Sequence, residues 1–585
     1  MARICYFYIF EFRGVHNVGI SLDARYTYEV DARRRKIAIS RNPDYKDGFW
    51  GDGIDTLSAI VGNNGAGKTT SLLYMLEVFA EGSGEKDIKA MIVYENSNGL
   101  HVYQPTGKLF KVETESGLRC FTTNIYPHIY MFYYSGYFHT YQNVHEPGDG
   151  ELAGVYNASD TWRLIKDYQD YANVDAISGT NTIAEHMDAL RAQNDNRIVQ
   201  LLLDEELRKL LPHTAVPRYI IIEKNDSGRK RLLHDQNRRR KEEINLYYPQ
   251  FGASKDAYLA DIVSANLYNI GAELGMPTKD IRGSVERWED HYQNVNSVLP
   301  ALSSFLNEPY PAAERILEVQ KIIRFLYEAC GYNERSEKLY IDIQDPKSRE
   351  NLERLSEYFR DRSFVVAHYF DLSYSHVTSS STRLSSGEYD MLKFFSRLND
   401  SIYESPDHYA NLVSPQLILI DEAENSYHPE WQRKYIHILT RFLEALYYRK
   451  KIEKFQVVIT THSPIILSDI PRECITYLEK SPRYGTVKES KDQPETFGTN
   501  VFELYRHSFF MSDGLVGEYA SKKIEKLQRE IQLGRKPFET LKHEIDIIGD
   551  EKIKAYFYML LEKNNSQQGI IAYYENKIKE MQSGK

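Results

Sequence analysis

Between Gly62 and Thr70 the chain reads Gly-Asn-Asn-Gly-Ala-Gly-Lys-Thr-Thr, a pattern compatible with very few local folds. Its glycines, lysine and hydroxyl have the spacing of a phosphate-binding loop, where backbone N–H groups close around a β-phosphate and the lysine neutralises charge. Such a loop works only between a buried strand and a helix, because the anion must face the helix N-terminus. Leu57 to Val61 is apolar and strand-like, and Leu72, Leu73, Leu76 and Phe79 follow at helical spacing. Gly62, Asn63, Asn64, Gly65, Ala66, Gly67, Lys68, Thr69 and Thr70 are therefore expected to bind ATP, with the Thr69 hydroxyl on Mg2+.

Three later stretches complete the pattern. Leu417 to Ile420 is all aliphatic, as a strand covered on both faces should be, and it ends in Asp421 and Glu422. Asp421 is expected to hold the Mg2+ shell, and Glu422 to polarise the water that attacks the γ-phosphate. A second buried strand, Phe455 to Thr460, leads to His462. A lone histidine there is ordinarily structural; Thr461, Ser463 and Pro464 beside it suggest a strand-end switch whose histidine either donates to the γ-phosphate or holds the attacking water. Upstream, Ser385 and Glu388 have capping-box spacing, and Met391, Leu392, Phe395 and Leu398 line one helical face behind them. Ser385, Ser386, Gly387 and Glu388 thus present a helix tip, a second anion-binding feature separate from the phosphate loop.

Taken in order, these motifs resemble the ABC-type ATPases of the SMC, RecF and OLD class. The resemblance implies that Gly62 to Thr70 is the Walker A loop, Ser385 to Glu388 the signature, Asp421 and Glu422 the Walker B pair, and His462 the switch histidine. It also implies that two heads dimerise head to tail, each signature closing on the other's ATP. Glu424, Asn425, Tyr427, His428 and Pro429 look like the D-loop region in its OLD-like wording. Phe12-Arg13-Gly14 resembles that class's opening strand, where Arg13 approaches the nucleotide; a β-hairpin turn is the other reading of the same residues. No residue is assigned to the Q-loop, since Gln142 is the sole glutamine near its expected place. Thr496 to Asn500, Ser508 to Phe510 and Gly517-Glu518 resemble the closing segment of bacterial defence ATPases of the Septu and retron-associated kinds. Phe497, Phe509 and Phe510 are equally suited to packing a domain edge.

The expected fold class is α/β: an ABC-type P-loop ATPase head with a large, mainly helical insertion and a helical C-terminal tail. The phosphate loop and the signature are too far apart for a compact head, so the expected divisions are 1–150 and 361–516 for two lobes of the head, 151–360 for the insertion and 517–585 for the tail. Amphipathic stretches at Thr161 to Tyr171, Ile183 to Leu211, Ala257 to Leu274 and Ala312 to Tyr332 carry the helical reading of the insertion. Sustained heptads are missing there, which argues against a long coiled arm. Ile524, Leu527 and Ile531 mark a further amphipathic helix in the tail.

Partners are constrained by charge. A net charge of −10 argues against indiscriminate coating of nucleic acid, so contact with DNA or RNA is expected to be local. Arg33 to Lys36 reads as a turn between early strands. The denser run of Lys224, Arg229 to Arg231 and Arg238 to Lys241, flanked by Tyr219, Tyr247 and Tyr248, is either a solvated face or such a contact. Cys5, Cys120, Cys330 and Cys474 are scattered, which indicates neither zinc nor a disulfide framework and fits a reducing cytoplasm. No apolar run is long enough to span a bilayer, so no membrane is expected. OLD-type nucleases carry a metal-binding TOPRIM module after the switch histidine. Glu544 and Asp546 are too close and too helical to serve as its ligands, so the expected output is a separate nuclease or other effector subunit, worked by a homodimer or higher oligomer and gated for antiphage defence. A stand-alone DNA-repair or chromosome-maintenance ATPase is the alternative.

Overall fold

The computed structural model describes residues 2–81, 90–104, 109–127, 129–136, 155–172, 183–226, 253–273, 277–291, 313–360, 369–378, 383–404, 412–413, 416–480, 487–489, 494–507, 516–533, 536–564, 574–575, 578–579 and 581–582. It divides into two units, Met1–Leu504 and Tyr505–Lys585.

The first unit is organised by a 12-stranded sheet. Across it the strands run Val155–Asn157, Met131–Ser135, Leu417–Asp421, Phe455–Thr460, Ile54–Gly62, Ile475–Lys480, Val487–Glu489, Val15–Ser21, Arg3–Phe12, Ala90–Asn96, Gly99–Tyr103 and Cys120–Thr123. From Val155–Asn157 to Ile475–Lys480 all neighbours are parallel. Parallel strands need both faces covered, which is why Leu417–Asp421 and Phe455–Thr460 are buried along their whole length. Side chains alternate between the faces. Tyr133, Leu417, Leu419 and Val458 join the core of the phosphate-loop helix, Lys68–Glu81, through Leu72, Met75, Leu76 and Phe79. On the other face Phe132 and Tyr134 meet Phe394 of the helix Ser386–Asp400, the one expected to carry the signature, while Phe395 packs on Phe442 of Pro429–Lys450.

Beyond Ile475–Lys480 the sheet becomes largely antiparallel. A three-stranded sheet of Tyr26–Asp31, Lys36–Arg41 and Lys111–Thr114 covers it, with Tyr6, Tyr8, Phe10, Ile37, Ile39 and Met91 between the layers. Arg33 to Arg35 lie in the turn between the first two of those strands, as expected.

Between residues 151 and 360 the described chain is mainly helical, except that Val155–Asn157, inside the bounds expected for an insertion, is a strand of the 12-stranded sheet because it pairs with Met131–Ser135. The described helices there include Asp160–Ala172, Ile183–Leu203, Glu205–Leu210, Lys255–Glu273, Thr278–His291, Ala313–Ala329 and Ser348–Arg360. The single stretch expected over Ile183 to Leu211 is two helices, because the Asp204 carboxylate accepts from the Leu207 N–H at 3.1 Å and caps a new start. The region also carries a four-stranded sheet, ordered Gly331–Asn333, Lys338–Asp342, Tyr219–Lys224 and Phe370–Ser375. Its last strand lies beyond residue 360 and runs toward the signature, with the Leu384 N–H donating to the Tyr374 carbonyl at 2.8 Å. Lys224 is committed to Asp261 at 2.5 Å; the rest of the basic run, Arg229 to Lys241, falls outside the described residues, as do Gln142, Tyr247, Tyr248 and Ser508 to Phe510.

The second unit contains helices Glu518–Leu533, Phe538–Asp546 and Glu551–Asn564, joined by a core of Leu527, Ile531, Leu541, Ile545, Phe557 and Leu561. Glu544 pairs with Lys536 and Asp546 accepts from Tyr558. All four cysteines are free thiols. Among the described residues no helix is long and apolar enough to cross a membrane.

Candidate active site

Parallel strands deliver their following loops to one edge. Register aligns Asp421 with Thr460 and Thr460 with Ile60, so Asp421, the switch loop and the phosphate loop emerge side by side. The loop itself turns through Gly65 and Gly67 at φ of 74° and 87°, a conformation that a side chain would strain. Gly62 is needed for space: a Cβ there would lie 2.1 Å from the Leu478 carbonyl oxygen.

Lys68 is buried, and its ammonium donates to the carbonyls of Gly62 at 3.0 Å and Asn63 at 3.5 Å. Burial pulls its pKa down, although Glu422, Asp421 and Glu424 pull the other way. Thr69 donates its hydroxyl to Asp421 Oδ1 at 3.0 Å, and the Thr460 hydroxyl donates to the same oxygen at 2.6 Å. Burial lifts the Asp421 carboxyl to about 6, with Glu422 adding repulsion and the two threonines opposing it. Glu422 holds a left-handed backbone, φ 49°, unusual for a residue with a side chain and a mark of a constrained site. Its Oε1 lies 3.1 Å from His462 Nε2, and its Oε2 accepts from Asn425 Nδ2 at 2.9 Å. Burial alone would raise the Glu422 carboxyl; the His462 and Asn425 hydrogen bonds and the Lys68 charge hold it below its usual value. The structure thus brings Lys68, Thr69, Asp421, Glu422 and His462 into one cluster.

Ser385 to Glu388 have other contacts. Ser385 caps the helix, accepting from the Glu388 N–H at 3.4 Å, while the Glu388 carboxylate accepts from the Ser385 N–H at 2.7 Å. Ser385 and Ser386 are exposed. Gly387 is buried where a Cβ would sit 2.5 Å from the Ser426 carbonyl oxygen and 3.3 Å from the Trp431 ring. Of the two readings of Phe12-Arg13-Gly14, the structure contains the hairpin: Phe12 pairs with Val15, and Arg13 and Gly14 turn with φ of 43° and 87°. The Arg13 guanidinium lies over the Phe12 ring, which stacks on Tyr74 of the phosphate-loop helix.

The sequence pointed to Thr461, Ser463, Glu424 and Tyr427 but neither to Gln432 nor to the bonds by which they brace the site. Thr461 donates to buried Glu424, the Ser463 hydroxyl donates to Gln432 Oε1 at 2.8 Å, and Gln432 Nε2 donates to the Tyr427 carbonyl at 3.1 Å. Burial lifts Glu424 to about 7. His428 and Pro429 are explained locally: His428 caps Pro429–Lys450 and Pro429 occupies its first turn, where a missing N–H is harmless. Lys480 comes within 3.7 Å of where a Gly65 side chain would begin, a second cation beside the loop. Its only signal was its place two residues past the register match of Leu478 with Gly62. A different cluster, Cys5, Asp23 and Glu95, has ligand atoms within 4.8 Å of one another, but Arg3 pairs with both acids and Arg25 with Asp23, which makes it an ion-pair knot.

A strand, glycine-rich loop and helix at the edge of a parallel sheet, with paired acids on the neighbouring strand, define a P-loop ATPase fold. The chain belongs to the AAA-domain family described as putative AbiEii toxin, type IV TA system, whose model matches residues 141–468. That match takes in Ser385 to Glu388, Asp421, Glu422 and His462 and begins downstream of the phosphate loop. Protein ea59 of Escherichia phage lambda is 28% identical over 140 residues, 24% of this chain and 23% of that protein, so the match spans less than a quarter of the relative's length. The Smc head domain with an extended coiled coil bound to the C-terminal domain of ScpA, from Pyrococcus furiosus, aligns over 84% of this chain and 96% of its own at 10% identity, with a TM-score of 0.24. A likeness that low in superposition carries no weight here.

Proposed function

We propose that this chain is the ATP-binding and hydrolysing subunit of a bacterial antiphage system, in which two copies associate head to tail and their closure gates a separately encoded effector, a nuclease by preference. The observation that carries the enzymatic part is the convergence at one strand edge: Asp421 bonded to Thr69, and Glu422 held between His462 and Asn425.

The residues present suit Mg2+. A hydroxyl and a carboxylate are hard oxygen donors, and the ionised form of Asp421 is destabilised by burial in a way that a cation relieves. Bound by Thr69 and Asp421, Mg2+ would supply charge neutralisation to the phosphate oxygens. Lys68 must exchange its bonds to Gly62 and Asn63 for phosphate oxygens, a small move for a flexible stem. Glu422, kept ionised, orients the attacking water and accepts its proton, while His462 fixes the carboxylate and reads the γ-phosphate. Arg13, in its hairpin turn over the Phe12 ring, is given no step in the reaction.

Head-to-tail pairing is supported by the exposed serines at the tip of an otherwise packed helix, whose N-terminal dipole favours an anion brought by a second copy. The effector role rests on the resemblance of Thr496 to Asn500 and of Gly517-Glu518 to the closing segment of bacterial defence ATPases. The test is to purify the chain with the products of its neighbouring genes and weigh the complex with and without ATP. A co-purifying effector whose activity follows ATP state is the expected result. Hydrolysis stimulated by DNA with no effector bound would instead favour a repair ATPase.

A further inference from the structure

The signature helix is anchored from behind by buried charge. Arg397 has no solvent exposure and Lys393 only 7%. Both reach Asp160, the first residue of the inserted helix Asp160–Ala172: Lys393 Nζ lies 2.9 Å from Oδ2, and an Arg397 terminal nitrogen lies 2.7 Å from Oδ1. Arg397 donates twice more to Asn194 Oδ1, at 3.1 and 3.0 Å, and once to the Ala158 carbonyl at 2.7 Å. Asn194 belongs to the inserted helix Ile183–Leu203. At the far end of the signature helix, Asp400 accepts from Arg197 Nε at 3.0 Å, and Arg197 grips both oxygens of Asp167 at 2.8 and 2.9 Å.

Such a network is a poor way to gain stability, because removing ions from water costs about as much as their pairing returns, and apolar replacements often do as well. What it does supply is geometry. Each nitrogen of Arg397 has a fixed acceptor at Asn194, Ala158 or Asp160, so neither the roll nor the axial position of the helix can change without breaking buried polar contacts. Ser386 lies eleven residues up the same rod, about 16 Å away at helical rise. Displacing the inserted helices must therefore move the serine tip.

We propose that Arg397 and Lys393, held by Asp160 and Asn194, are positioning residues that set Ser386 and Gly387 against the other copy's triphosphate, so that the insertion controls hydrolysis in trans. This rests on the head-to-tail reading above. An effector or ligand that bears on Asp160–Ala172 or Ile183–Leu203 changes turnover in the neighbouring subunit's pocket while leaving its own Lys68 loop intact.

The experiment uses mixed full-length chains. Arg397→Met should keep nucleotide affinity within about threefold and lose turnover by about tenfold or more, a loss of the size that misplacement by an ångström produces. Arg397→Lys should regain part of it. Lys68→Ala is inactive alone, yet mixing it with Arg397→Met should restore turnover: the competent pocket takes Lys68 from one variant and a correctly held Ser386 from the other. Random assortment of a symmetric dimer gives about a quarter of wild-type turnover. Ser386→Ala mixed with Lys68→Ala is the control. If the control recovers and the Arg397 mixture does not, the clamp is overturned and head-to-tail pairing stands. If the control fails with both proteins folded and mixed, the pairing itself falls and the clamp with it. Asp160→Asn, which keeps the shape and removes the charge, goes through the same mixtures. Loss of nucleotide binding in both it and Arg397→Met would show a merely structural role and overturn the proposal.

Discussion

Replacing Glu422 by glutamine keeps its size and removes the charge that would take a proton from water. Nucleotide binding should persist and turnover should fall by about a hundredfold or more, the usual contribution of a positioned general base; a filter-binding assay beside a phosphate-release assay checks it, and unchanged turnover would reject the assignment. A second prediction concerns Asp195, buried against the Tyr374 hydroxyl at 2.8 Å. Burial, helped by Asp371, lifts its carboxyl to about 8, far above the ordinary range. A raised carboxyl means the folded chain binds a proton that the unfolded chain has released, so this group's contribution to stability is present below about pH 4 and is lost as pH rises toward 8. Glu424, lifted to about 7, acts in the same sense. The melting temperature of Asp195→Asn should therefore fall less between pH 5 and pH 8 than that of the unchanged protein; equal slopes would contradict the burial argument.

Among elements, Gly387 ties the signature helix to the Ser426 backbone, and a Cβ 2.5 Å from a carbonyl oxygen cannot be absorbed by a side-chain rotation. Gly387→Ala should cost about 1–3 kcal/mol of stability, as overpacking does, and should reduce turnover more than nucleotide binding. Thermal melting and single-turnover kinetics separate the two effects. The elements most legible in the sequence were those whose pattern is local. Leu417 to Ile420 was apparent as a short aliphatic run, Phe455–Thr460 as a second buried strand, and the helix Ser386–Asp400 as a capping box followed by Met391, Leu392, Phe395 and Leu398, all of which are fully buried. The strand Tyr219–Lys224 was not anticipated, although Ile220, Ile221 and Ile222 are β-branched, because its partner Phe370–Ser375 lies far along the chain. Lys393 and Arg397 were invisible for a related reason: charge on an amphipathic helix reads as a solvated face until the inserted helices that cover it are in place. Thr460 and Thr461, next to a conspicuous histidine, were legible as types but not as the ligands of Asp421 and Glu424.

For the molecule as a whole, the central claim is that one chain holds half of each working pocket: a phosphate loop with its acids at the strand edge, and an exposed serine tip for a second copy. Sedimentation of Glu422→Gln with ATP and Mg2+ tests it most directly, since slow hydrolysis should trap the closed state. The account predicts that ATP at least doubles the mass, that ADP does not, and that adding Lys68→Ala or Ser386→Ala to the same chain abolishes the change. A mass indifferent to ATP, or a dimer that forms equally well with Ser386 replaced, would contradict it.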